Sequence, residues 1–196
     1  LWYNILGDFM KILYGGSFNP PTLAHYQIAE YLLEKFPEAE LHFLPANNFY
    51  EKDNLKDFRE RFEMLEILCR RLGPRAKVNG FEGGLDRYYG TWYTLKHFPD
   101  AWFVIGADNL VNLPTWINYP AVVRENRFLV IPRPAVDIEE AFLANPMLSE
   151  NRQNFHVLTD FPETGISSTL YRQTKDERLL LPEVADYIRK NDLYKE

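Results

Sequence analysis

The chain has 196 residues, 46% of them hydrophobic and 26% charged, which is enough apolar material for a real core and too ordinary a mixture for a disordered or fibrous chain. Twenty-two Lys and Arg against 28 Asp and Glu leave a net charge of −6, so no global basic field marks a nucleic-acid binder. The single cysteine excludes an intramolecular disulfide, no Cys/His spacing suits structural zinc, and no apolar run reaches the roughly 18 residues of a membrane span. A reducing, cytoplasmic setting is therefore expected, with no membrane and no nucleic acid as partner.

Residues 1–9 carry none of the marks of a signal peptide and are read as an extension of uncertain origin, leaving 10–196 as one domain. Residues 10–14 then predict a first strand. After a glycine-rich loop at 15–21, residues 22–34 predict a helix, with Leu23, Tyr26, Ile28, Ala29, Leu32 and Leu33 on one stripe. A strand at 40–44 leads through the loop 45–52 into a helix at 55–72, where Cys69 reads as a buried core thiol. Strands follow at 76–79, 101–105, 127–131 and 154–159, with helical patterns at 91–97 and 138–143 between them. A small C-terminal helical part occupies about 165–196. It closes with residues 181–194, where Pro182 starts a helix and Val184, Ala185 and Ile188 share one face.

This alternation predicts an α/β fold, a doubly wound, mainly parallel sheet with helices on both faces. Ligands of such sheets gather at the carboxyl ends of the strands, near the point where strand order reverses. Four chemically rich loops, at 15–21, 45–52, 106–109 and 162–168, each follow a predicted strand.

The first of them reads Gly15-Gly16-Ser17-Phe18-Asn19-Pro20-Pro21-Thr22-Leu23-Ala24-His25. Two glycines let backbone approach a ligand, the prolines fix a tight entry, and Thr22 is an N-cap candidate. His25 would then lie in the first turn, over the positive end of the helix, which is a phosphate site by physics alone. The last loop reads Thr164-Gly165-Ile166-Ser167-Ser168-Thr169-Leu170-Tyr171-Arg172. There Ser167 or Ser168 can cap a helix whose N–H groups and hydroxyls suit phosphate oxygens, and Arg172 lies one turn further on.

Both stretches resemble the two signatures of the nucleotidyltransferase superfamily, G-G-[ST]-F-[DN]-P-x-[HT]-x-[GA]-H and I-S-S-T-x-x-R, in the same order. A further element, Gly106-Ala107-Asp108-Asn109 with Leu113 and Trp116, resembles that of the nicotinate-nucleotide adenylyltransferases. Residues 90–95, with Thr91, Thr94 and Leu95, resemble their S-Y-T-x-x-T-L stretch, with Gly90 in place of its Tyr. Residues 44–65 resemble their P-x-x-x-P-P-H-K…R-x-x-M-L stretch without the Pro-Pro-His, and the closing helix matches too. Thr22 stands where most bacterial members have His, a feature shared with pantetheine-phosphate adenylyltransferases and many nicotinamide-nucleotide enzymes.

The resemblance implies a Rossmann-like fold and in-line attack of a pyridine mononucleotide's phosphate on the α-phosphorus of ATP, with Mg²⁺ accompanying ATP. Nicotinate mononucleotide is the implied acceptor. Nicotinamide mononucleotide or phosphopantetheine stands as the alternative, and a non-catalytic nucleotide sensor as the rival from another class. The resemblance assigns catalysis to Thr22 and His25. It assigns ATP to Gly15, Gly16, Ser17, Phe18, Asn19, His25, Gly106, Asp108, Ile166, Ser167, Ser168 and Arg172. The acceptor falls to Lys52 (with Lys56 as an alternative), Thr91, Asp108 and Trp116. Asp108 also reads as a plain helix cap and Trp116 as a core residue. Oligomeric state is left open.

Overall fold

A computed structural model describes residues 10–50, 54–162 and 165–195, so the segment 1–9 and Lys52 lie outside the described residues. The described strands are β1 (Lys11–Gly16), β2 (Glu40–Pro45), β3 (Ala76–Val78), β4 (Trp102–Gly106), β5 (Arg127–Ile131) and β6 (Phe155–Val157). They form one sheet in the order β3-β2-β1-β4-β5-β6, and every neighbouring pair is parallel. Strand order reverses between β1 and β4, so the switch point of this Rossmann-like sheet lies at the carboxyl ends of those two strands.

Alternation along β1 divides the core. Ile12 and Tyr14 face α1 (Leu23–Lys35), α2 (Phe58–Leu72) and α9 (Pro182–Lys190), packing with Ile28, Leu32, Met64 and Val184. Leu13 faces the other layer and packs with Phe103, Leu110, Val122 and Phe142. That layer holds α3 (Thr91–Leu95), α4 (Ala107–Asn112), α5 (Ala121–Glu125), α6 (Ile138–Ala144) and α7 (Pro146–Glu150). The short helix α8 (Ser168–Thr174) follows the last strand. Cys69 is half-buried in α2, and burial pushes its thiol up to about 12, which makes it an inert packing group.

Three boundaries differ from the sequence expectation, each for a local reason. Gly15 and Gly16 belong to β1, because they stay paired with Leu44 and Pro45 of β2. Gly15 is required there: a Cβ would stand 2.4 Å from the Phe103 ring on the neighbouring strand. The stretch after β4 turns at once into α4, with Gly106 as its N-cap, where the sequence reading placed a loop. The closing helix stops at Lys190, short of the expected 194, and α5 and α7 are too short to give a periodic signal.

Candidate active site

The loop between β1 and α1 is held from below by a buried cation. Arg61, fully buried on α2, donates to the carbonyls of Ser17 (2.9 Å), Ala46 (2.7 Å) and Lys56 (2.7 Å) and to Asn48 Oδ1 (3.3 Å). Burial lowers its pKa to about 10, so it stays charged at neutral pH, and carbonyl oxygens supply the compensation a carboxylate would otherwise give. One side chain thereby ties the loops after β1 and β2 to the segment entering α2.

Asn19 does the same from within the loop. Its side chain is fully buried, donating Nδ2 to Asn54 O (2.9 Å) while Oδ1 accepts the Lys56 N–H (3.2 Å) and the Tyr194 hydroxyl (2.6 Å). Phe18 takes a left-handed backbone, φ +47°, and its ring is buried against Tyr14, Phe43 and His25, with centroids 5.1–5.6 Å apart. The sequence reading assigned both residues to ATP. Their side chains are occupied inside the protein, so backbone is what they have to offer a nucleotide.

Thr22 caps α1, and its N–H donates to Nδ1 of His25 (2.9 Å), with its hydroxyl also 2.9 Å from that nitrogen. An imidazole nitrogen that accepts carries no proton, so the neutral ring keeps its hydrogen on Nε2, as a donor. The rings of Phe18 and Tyr14 flank His25 and restrict its rotation.

The two signatures meet in space. Ser167 caps α8 by accepting Leu170 N–H (3.1 Å), Ser168 Oγ donates to Pro20 O (2.7 Å), and Arg172 Nη1 donates to Asn19 O (2.7 Å). Arg172 Nη2 also reaches Thr169 Oγ1 at 3.3 Å. Part of the bonding expected to go to ATP is therefore spent on positioning: the Ser168 proton and one Arg172 donor hold the first loop in place. Gly165 and the half-buried Ile166 lead into this cap.

Between the carboxyl ends of β1 and β4 opens a cleft of about 350 Å³. Gly15, Gly16 and Ser17 line it together with Glu82, Thr91 and Trp116. Trp116 is half-buried and stands edge-on to Phe103 at 6.4 Å, so it serves the core and the cleft wall together. Thr91 opens α3 directly after Gly90, which has φ +84° and whose Cβ would strike Ile117. Only glycine fits that corner, which accounts for the loss of a tyrosine there.

Asp108 lies in the first turn of α4, its Oδ1 3.8 Å from Arg133 Nε. A Cβ on Gly106 would come within 2.3 Å of that oxygen. Arg133 was missed in the sequence, although it obeys the rule that singled out the other loops: it follows a strand end, between Pro132 and Pro134. Glu82 was missed for a better reason. It occupies a single 3₁₀ turn (Phe81–Gly84), where no periodicity marks a buried carboxylate.

Three comparisons bear on this arrangement. Residues 13–174 match the family model described as cytidylyltransferase-like. Named a probable nicotinate-nucleotide adenylyltransferase, a protein of Acholeplasma laidlawii is 30% identical, over 95% of this chain and 98% of its own. One of the same name from Flavobacterium psychrophilum is 31% identical, over 95% and 100%. Among solved structures, the Plasmodium falciparum nicotinic acid mononucleotide adenylyltransferase complexed with NaAD superposes with a TM-score of 0.79. It covers 95% of this chain and 98% of its own at 22% identity, a likeness of fold.

Proposed function

The chain belongs to the nicotinate-nucleotide adenylyltransferases of the cytidylyltransferase-like family, and on that premise we propose how its own residues carry out the transfer. The enzyme moves an adenylyl group from ATP to the phosphate of nicotinate mononucleotide, giving deamido-NAD and pyrophosphate, a step of NAD biosynthesis. The observation that carries the reading of the site is the meeting of Thr22 and His25 with Ser167, Ser168 and Arg172 around the carbonyls of Asn19 and Pro20.

ATP lies with its phosphates across the start of α1, where free N–H groups and the helix dipole favour negative charge. His25, its Nδ1 held by Thr22, donates from Nε2 to the α-phosphate as charge builds there in the transition state. Ser167 and the remaining donors of Arg172 hold the outer phosphates, and Gly15 and Gly16 let the acceptor phosphate come in line. Asp108, steadied by Arg133, and Gly106 belong to the nucleotide site. Trp116 and Thr91 receive the pyridine ring, and Lys52 steadies the acceptor phosphate. No covalent intermediate is needed, because positioning and charge stabilisation carry this class of transfer.

Among the described residues no three His, Cys, Asp or Glu side chains converge into a metal cage. Mg²⁺ would accompany ATP, held on its phosphate oxygens and on water, and would supply neutralisation of charge on the pyrophosphate. No described helix is long and apolar enough to cross a membrane. The lone, inert Cys69 suits work in the reducing cytoplasm.

The test is pyrophosphate release from ATP and Mg²⁺, with nicotinate or nicotinamide mononucleotide offered separately. Release with the acid and little with the amide supports the reading. Release with the amide alone would reassign the acceptor, and release with neither would sink it. Gly90 in place of the family's tyrosine is the feature that favours testing the amide at all.

A further inference from the structure

The cleft holds a carboxyl group that nothing described so far explains. Glu82 is 5% exposed, yet it lines the cleft together with Tyr88, Thr91, Thr94 and Trp116. One of its oxygens, Oε1, accepts the Thr94 hydroxyl, while the other is buried without a hydrogen-bond partner. A buried oxygen left unpaired is unfavourable by about 1–3 kcal/mol, more if charged, so its retention calls for a use.

The surroundings bear on what that use is. Among the described residues lining the cleft none is Lys, Arg or His. The titratable groups that line the cleft with the carboxyl are Tyr88 before α3 and Tyr50 after β2, while His97 packs at a tilt on Phe81 of the same turn. An ionised Glu82 on such a wall would repel a nicotinate carboxylate and attract the N–H groups of a nicotinamide. A neutral Glu82 removes the repulsion and offers an O–H that the carbonyl oxygen of either substituent can accept, so the acid is no longer penalised against the amide.

We propose that Glu82 is a specificity-determining residue that reads the substituent on the acceptor's pyridine ring, admitting the acid when its own carboxyl is neutral and disfavouring it when ionised. The inference rests on the pyridine-nucleotide reading above. Burial favours the neutral form and raises the Glu82 pKa, against smaller opposing effects from the Thr94 hydroxyl and from the Asn47 N–H, which lies near the carboxyl without making a hydrogen bond to it. The sign follows directly. Below the raised pKa the carboxyl is neutral and the acid is not penalised; as pH rises through it, charge develops and the acid is disfavoured against the amide.

The measurement is kcat/KM for nicotinate mononucleotide divided by kcat/KM for nicotinamide mononucleotide, followed from acid to alkaline pH over the whole range in which the enzyme stays folded. Both acceptors carry the same phosphate, so its titration cancels in the ratio. In the unaltered enzyme the ratio should fall about tenfold with rising pH, as expected for one like charge near the ring. Glu82→Gln, a neutral isostere that still accepts the Thr94 hydroxyl, should hold the ratio flat near its low-pH value. Glu82→Met, apolar and of similar length, gives the same flat profile if the amide disturbs folding. A purely structural role would lower kcat/KM for both acceptors together and leave the slope of the ratio intact in the variants. That result, or a flat ratio in the unaltered enzyme, overturns the proposal. An unaltered enzyme that turns over neither acceptor would instead overturn the reading beneath it.

Discussion

Where the two signature turns meet, the backbone is the working part; in the cleft wall around Glu82, the side chains are. The first loop is fixed by Arg61, Asn19, Tyr194, Ser168 and Arg172, all bonding to loop backbone or to one another. The cleft wall around Glu82 is formed by Trp116, Thr91 and Tyr88, joined by few hydrogen bonds and cornered on Gly90. Backbone sites tolerate little change, since each glycine, cap and proline answers a steric demand. A side-chain wall can be rebuilt: here Gly90 replaces the family's Tyr, whereas the departure in the first signature turn is a single Thr22 for the His of most bacterial members.

That contrast can be tested by substitution. The largest effect should come from His25→Ala, which removes the donor to the α-phosphate and should lower kcat about 10²–10³-fold with the KM for ATP little changed. Single-turnover adenylyl transfer measures it, and a loss below about tenfold would place the transition-state donor elsewhere. Arg61→Met comes next. It strands three loop carbonyls and should destabilise the protein by about 2–4 kcal/mol in urea unfolding. An unchanged midpoint would show that water replaces the guanidinium and that the loop does not depend on it.

Arg172→Gln should raise the KM for ATP about tenfold and leave that of the acceptor alone, separating the two regions by ligand. A shift confined to the acceptor would show Arg172 assigned to the wrong ligand. Trp116→Ala should have the smallest effect, raising the acceptor's KM by about fivefold, in keeping with the ~1 kcal/mol of a ring contact. Since Trp116 also packs on Phe103, equal rises in both KM values would mark it as support for the wall, not a face for the ring.

Much of this was legible because the signals are local. β5 falls at 127–131 as the sequence predicts, and Ile28, Ala29, Leu32 and Leu33 of the predicted α1 stripe are buried, with Leu23 and Tyr26 half-buried and Ala24 buried in addition. The pairing of Thr22 with His25 follows from helix spacing, since N-cap and third turn residue face each other. Asn19 illustrates the opposite case. In sequence it reads as a loop residue available to a ligand, yet its three side-chain partners, Asn54, Lys56 and Tyr194, lie 35 to 175 positions away. Nothing within the motif reports that the side chain is already engaged.

By itself the sequence determined the strands, the longer helices, their alternation, the parallel sheet and the capped starts of α1 and α8, because those depend on periodicity, steric limits and caps a few residues apart. The tertiary structure decided which donors remain free for a ligand and which are consumed in holding the loops. It also placed Arg133 beside Asp108 and buried Glu82 with one oxygen unpaired behind Thr94. Burial and hydrogen-bond partnership are set by residues brought together from distant parts of the chain, and a one-dimensional pattern does not carry them.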